Sequence, residues 1–246
     1  MPGDFSQPTC VQRLGLFSIS FLLRSARSLL QTKGMGRNNF ICQTEFPYHI
    51  TARCINREWF GVEKEEVWKA MCRQLHFIHL AFGIRIHAFV LMTNHFHLIA
   101  RAPEQNLSEA MQFFMGETGK DLRDLSDRIN RTYGSRFHRT YISSPLYFLH
   151  AYKYVYRNPV EAGLCTKVED YEFSTLKGLL GEQKIEIPIL DDSNWETLES
   201  RRETLQWLNA TPEKKNWEAV RKALKKHTFK LARENCRLSN LENDAL

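Results

Sequence analysis

The chain reads as an α+β protein: a ferredoxin-like β-α-β-β-α-β antiparallel sheet, an added helix after the sheet and a helical C-terminal extension. Three observations predict it: an alternating strand pattern followed by a helix-period segment, two apolar runs joined by a two-residue connection, and an amphipathic stretch leading to a last short strand. Such a sheet carries both helices on one face. The other face is left for the segment that follows.

Phe46 to Cys54 alternates in polarity and is rich in Tyr, Ile and Thr, the composition of a half-buried strand. Over residues 63–82, Val67, Met71, Leu75, Ile78 and Phe82 recur at spacings of three and four, which predicts an amphipathic helix stopped by Gly83. Ile84–Met92 and His95–Arg101 are apolar runs separated by Thr93-Asn94, the length of a tight hairpin turn. Asn106, with Glu109 three residues on, has a capping-box pattern and opens a helix carrying Leu107, Met111, Phe114, Leu122, Leu125 and Ile129. Gly116 and Gly119 are expected to bend or weaken it. Tyr133-Gly134-Ser135 predicts a turn, Arg136–Ser143 the last strand, and Pro145 the start of a helix over 145–157. A Pro-containing connector, Ile185–Asp192, then leads to a helical region over 194–235, with Trp195, Leu198, Leu205, Trp207, Leu208, Trp217, Val220 and Leu224 on its buried face. The organisation expected is an N-terminal extension over 1–40, poorly ordered, a domain over 41–182 and a basic helical extension over 183–246.

The composition is that of an ordinary globular protein, with 43% hydrophobic and 25% charged residues in a chain of 246. A net charge of +6 favours a polyanionic partner such as nucleic acid. Cys10, Cys42, Cys54, Cys72, Cys165 and Cys236 lie far apart with no C-x-x-C pair, so reduced thiols in a cytoplasm are expected rather than a disulfide scaffold. The apolar run Leu14–Leu23 ends at Arg24 and falls well short of the roughly 20 residues that span a bilayer, and no membrane partner is expected.

Within the second apolar run, His95 and His97 flank Phe96. Strand side chains alternate faces, so both imidazoles point to one side and Phe96 to the other. Two nitrogen ligands on a rigid platform make two-thirds of a catalytic metal site, which needs about three protein ligands and open positions for substrate. A His-x-His is more often packing or surface chemistry, and a second constellation is needed. It lies in Tyr152-Lys153-Tyr154-Val155-Tyr156-Arg157-Asn158-Pro159. On a helix Tyr154 and Asn158, four apart, project together, whereas Tyr152 and Tyr156 are each rotated by about 200°. The competing reading of Tyr154 is a packed aromatic with its hydroxyl satisfied. That of Asn158 is a helix end, since Pro159 biases it away from helical angles.

These two motifs, with Phe46-Pro47-Tyr48-His49-Ile50-Thr51-Ala52-Arg53, the Ala88-Phe89-Val90-Leu91-Met92 approach and the Asn158-Pro159 turn, resemble the single-tyrosine HUH transposases, IS200-like, and within them the REP-associated tyrosine transposases of bacteria. The resemblance covers about residues 45–180. Two positions depart from its pattern: Thr93 stands where relatives usually have Pro, and Cys54 where they usually have Gly. Neither is a ligand position, although Thr93 is expected to loosen the turn that aims the histidines.

The resemblance implies Tyr154 as nucleophile, His95, His97 and Asn158 as metal ligands, and Mg²⁺ or Mn²⁺ as the metal. Two imidazoles alone suit zinc, nickel or manganese better than magnesium; phosphate oxygens would supply the rest of the shell. It implies cleavage and rejoining of hairpin-flanked single-stranded DNA through a 5′-phosphotyrosine, by a monomer or homodimer in the cytoplasm, at the nucleoid. A phenol with an ordinary pKa near 10 needs a proton acceptor or nearby positive charge, for which Lys153 and Arg157 are candidates by proximity. Arg128, Arg131, Arg136 and Arg139, together with Arg123 and His138, are placed to line a DNA groove, and Arg221, Lys222, Lys225 and Lys226 to contact phosphates; their competing reading is a solvated face. Two other classes stay open: a non-catalytic, domesticated nucleic-acid-binding protein on the same sheet, and a metal-dependent hydrolase using the histidine pair.

Overall fold

The computed structural model describes residues 42–126, 129–189, 200–232, 240–242 and 244–246. The 1–40 extension, Arg128, Trp195 and Leu198 lie outside them. The elements run β1 (Tyr48–Arg53), α1 (Lys64–Phe82), β2 (Arg85–Leu91), β3 (His95–Arg101), α2 (Leu107–Asp124), β4 (His138–Tyr141) and α3 (Pro145–Glu161). The four strands pair in the order β2-β3-β1-β4 with every neighbour antiparallel, which is the ferredoxin-like arrangement.

Alternation along the strands sorts the side chains into two cores. Tyr48, Ile50 and Ala52 of β1 and Phe96, Leu98 and Ala100 of β3 pack with Met71, Leu75 and Ile78 of α1 and Met111 and Phe114 of α2. A register irregularity between Ile86 and Ala88 keeps Ile86, Phe89 and Leu91 on that side while Ala88 and Val90 face the other. On the opposite face Ala88, Val90 and Ile99 meet Phe148, Ala151 and Val155 of α3. This second core extends through the C-terminal region: Leu208 of α5 (Arg201–Asn209), Val220 of α6 (Lys214–Ala223), Leu224 and Phe229 are all buried in it, as is Leu176 of the short α4 (Leu176–Leu179). The second core thus runs across the expected 182/183 boundary, with α3 covered by the sheet on one side and by the C-terminal helices on the other.

Local chemistry explains the helix ends. Gly83 caps α1 in the left-handed region at φ 66°, where glycine carries no Cβ penalty. Ser144 accepts the Tyr147 N–H at 3.2 Å, and Pro145 follows as the first helical residue of α3. Several expectations need correction. Asn106 makes no capping bond; its Nδ2 donates to the Phe82 carbonyl at 2.9 Å and ties the α2 entry to the end of α1. Helix α2 runs through Gly116 and Gly119 but stops at Asp124, so Leu125 and Ile129 fall beyond its buried stripe and are 53% and 96% exposed. Strand β4 is shorter than Arg136–Ser143. Helix α3 continues past Asn158 to Glu161 with Pro159 inside it, losing one helical hydrogen bond but keeping Asn158 on the helix.

Phe229 is fully buried, its ring 4.7 Å from Tyr147 and 6.1 Å from His150 of α3. Phe229→Ala is expected to cost about 3–5 kcal/mol. Denaturant unfolding followed by both tryptophan fluorescence and far-UV circular dichroism checks this. The loss should appear in one shared transition, whereas an independent C-terminal extension would leave the sheet's transition where it was.

Candidate active site

His95 and His97 leave β3 on the face turned toward α3, with ring centroids 4.9 Å apart and planes at 81°. Each has its Nδ1 occupied by a neighbour. His95 Nδ1 donates to Asn94 Oδ1 at 2.8 Å, and Asn94 Nδ2 in turn donates to the Arg57 carbonyl at 2.6 Å. The Thr93-Asn94 turn is further closed by Met92 N–H to the His95 carbonyl and Cys54 N–H to the Asn94 carbonyl, both 2.8 Å. These bonds hold the turn without the proline usual in relatives. His97 Nδ1 lies 2.8 Å from Nε2 of His49, which reaches it from the adjacent strand β1.

Tyr154 descends from α3 onto this pair. Its ring stands edge-on to His97 at 5.7 Å and to His49 at 6.3 Å, while Trp217 of α6 stacks on it at 4.7 Å. Asn158, one turn along, faces the same cleft and donates Nδ2 to the Tyr154 carbonyl at 2.7 Å. Tyr152 and Tyr156 point elsewhere, buried with rings 4.6 Å apart; the Tyr156 hydroxyl bonds Thr175 Oγ1 at 2.8 Å. His95, His97, Tyr154 and Asn158 thus line one open cleft of about 630 Å³, joined there by His49, Arg53, His138, Trp217, Arg221 and Lys225.

Burial sets the protonation of the site. It holds His49 down to about 3 and His95 to about 4, and His97 well below its ordinary range, with the neighbouring imidazoles and Arg53 adding to the effect. All three are neutral near pH 7, the form that ligates metals. Burial raises the Tyr154 phenol above 10; Arg221, the Asn158 side chain and Arg53 oppose it, and Glu218 reinforces it. The cations that favour a phenolate therefore come from α6 and β1.

A divalent cation fits on one observation: His97 Nε2 is buried without a hydrogen-bond partner. A buried nitrogen in that condition is a cost unless something binds it. His95 has Nε2 left once Nδ1 is committed, and Asn158 has Oδ1 left once Nδ2 is. Among the described residues no cluster of three or more His, Cys, Asp or Glu side chains is spaced for a metal. A cation here would need the Asn158 amide and substrate oxygens beside the two imidazoles.

Lys153 and Arg157 are buried rather than exposed along the cleft, which corrects the expectation for both. Lys153 is buried with Nζ 5.3 Å from the Trp207 ring, and burial lowers its pKa to about 8. Arg157 is buried and donates to the carbonyls of Leu208 and Asn209 at 3.3 and 2.8 Å and to Glu161 Oε1 at 3.0 Å, fastening α5 to α3. Arg131, Arg136 and Arg139 line a separate groove of about 520 Å³ with Tyr133 and Phe137. Arg139 alternates with Thr140 and His138, so this groove lies on the other side of β4 from the cleft. Lys222 and Lys226 are exposed outside it, and Lys226 Nζ donates to the Lys230 carbonyl at 2.9 Å.

Residues 42–147 match the family model of the IS200-like transposases. The IS200-like level of the resemblance read from the sequence is borne out over that span, which contains both histidines and stops short of Tyr154. A solved structure described as a REP-associated tyrosine transposase bound to a REP hairpin is also similar. It shares 20% identity, with a TM-score of 0.49, over 65% of this chain and 96% of that one. No curated protein matches the chain. Among the described residues no helix is long and apolar enough to cross a membrane.

The histidine shifts carry a sign. Their folded pKa values lie below the ordinary 6.5, so the unfolded chain takes up protons that the folded site refuses. Their contribution to stability is whole above about pH 6.5 and is lost as pH falls below it, for His95 through about 4. Urea midpoints measured from pH 7.5 to 4 should drop more steeply for the wild type than for His95→Gln; equal pH profiles would contradict the neutral, buried imidazole.

Proposed function

We propose that the chain is a metal-dependent transposase and single-strand endonuclease that cleaves and rejoins hairpin-flanked DNA through Tyr154. The observation that carries this reading is the meeting of His95, His97, Asn158 and Tyr154, distant in sequence, in one cleft. The family match supports it independently for the histidine-bearing part.

Tyr154 is the nucleophile. Its oxygen bonds to the phosphorus of a DNA phosphodiester and the P–O3′ bond breaks, leaving the phosphate on the 5′ side as a phosphotyrosine and freeing a 3′ hydroxyl. The phenolic proton lost is balanced by the one the departing 3′ oxygen takes up. The step exchanges one phosphodiester for another, so rejoining needs no ATP. Mg²⁺ or Mn²⁺, held by His95, His97 and Asn158, would supply positive charge to a non-bridging phosphate oxygen and orient it. The protein does the remainder. Trp217 stacks on the phenol ring and holds it in the cleft, where the charges of Arg221 and Arg53 offset the burial that disfavours phenolate. The open cleft and the cations on its rim suit a single strand whose backbone follows positive charge. Arg221 and Lys225, together with Arg131, Arg136 and Arg139 across the sheet edge, are the DNA contacts this reading assigns. It places the protein in the cytoplasm, at the nucleoid.

Incubation with a hairpin-bearing single-stranded oligonucleotide and Mn²⁺, followed by denaturing electrophoresis, tests the reading. A protein–DNA adduct is expected, reduced below detection in Tyr154→Phe. Cleavage that survives the substitution would make the protein a hydrolase, and binding without cleavage would make it a non-catalytic module.

A further inference from the structure

The buried contact between His49 and His97 has no place in the mechanism above, and His49 touches neither the cleft's phenol oxygen nor any residue of α1 or α2 by a hydrogen bond among the described residues. Its geometry is specific. Nε2 of His49 sits 2.8 Å from Nδ1 of His97, the two rings are within 21° of parallel, and both side chains are almost wholly buried, so water cannot readily stand in for either partner. The outer nitrogens, His49 Nδ1 and His97 Nε2, are both buried without hydrogen-bond partners.

A neutral imidazole carries one N–H, and a ring nitrogen that ligates a metal must be the one without it. The pair therefore has two arrangements. In one, His97 Nδ1–H donates to His49 Nε2 and His97 Nε2 is a bare lone pair. In the other, His49 Nε2–H donates to His97 Nδ1 and His97 Nε2 bears a hydrogen that excludes a cation. Either arrangement leaves one outer N–H unpaired, so hydrogen bonding within the pair does not choose between them. A cation at His97 Nε2 does.

We propose that His49 is a positioning residue for His97: by accepting the Nδ1 hydrogen it holds the neighbouring ring in the tautomer and orientation that offer Nε2 to a divalent cation. The inference rests on the reading given under Proposed function and deepens it. His95 supports it by parallel construction, since its Nδ1–H has its own acceptor, Asn94 Oδ1 at 2.8 Å. Both imidazoles are thus oriented through Nδ1 by a neighbour, one from the turn and one from β1. Acceptors of this kind commonly govern metal affinity.

Mn²⁺ titration of the full chain, followed by the loss of the free-ion electron paramagnetic resonance signal, tests the assignment without relying on activity. His49→Phe keeps a ring of similar shape and removes the acceptor; His49→Gln places a carbonyl oxygen near the position of Nε2. Thermal melts establish that each variant folds. His49→Phe should bind Mn²⁺ about 10-fold more weakly or worse, the usual scale for loss of such a partner. His49→Gln should recover most of that loss, although it packs less well than Phe. Wild-type affinity in His49→Phe, or Gln no better than Phe, overturns the inference and leaves the transposase reading standing. Failure of the wild-type protein to bind Mn²⁺ at all removes both.

Discussion

The strict alternation of the sheet, locked by the register of β1 against β3, is the constraint on which the site depends. Thr51 pairs with His97 and Arg53 with His95, while Tyr48, Ile50, Phe96 and Leu98 take the opposite face. Each of those apolar side chains is buried, worth roughly 1.5–3 kcal/mol. A slip of one residue would turn several of them to α3 and drive two imidazoles into the core beneath α1 and α2. The burial energy on the helical face therefore aims the histidines on the other, and it far exceeds anything the polar contacts of the cleft could contribute to that choice.

The cleft is assembled from three regions that the chain order keeps apart. The sheet supplies three neutral imidazoles, and α3 supplies the phenol and amide. The C-terminal helices supply the aromatic face and the guanidinium that act on that phenol. Arg157 shows how the parts are joined, with a buried guanidinium spanning from α3 to the carbonyls that end α5. A phenol stacked in this way is fixed in position but desolvated, and desolvation opposes its ionisation. Position and reactivity are in tension here, and cations at the rim are the physical means of relieving it.

Much of this was legible in the chain. The order of strands and helices followed from hydrophobic period. The common facing of His95 and His97 followed from strand alternation, and that of Tyr154 and Asn158 from helical spacing. What failed to show was anything set by packing between distant segments. Lys153 and Arg157 carry the sequence character of surface cations, yet α3 is covered on both sides, so they are interior. Ile129 fits a helical stripe that ends before it. Pro159 signals a helix end, but the single missing hydrogen bond is tolerated. The contact of His49 with His97 depends on inter-strand register, which a strand pattern alone does not give. Trp217 could be read as buried, but not as the partner of Tyr154.

The central claim is that the two imidazoles of β3 and the phenol of α3 converge on one cation. Anomalous diffraction at the manganese edge, from crystals of the protein grown with Mn²⁺, measures that directly. The account predicts a peak bonded to His95 and His97 through Nε2, with the Asn158 side chain beside it and the Tyr154 hydroxyl directed into the same cleft. A manganese ion bound elsewhere, or a Tyr154 hydroxyl turned away from the histidines both within the protomer and across any dimer, would contradict it.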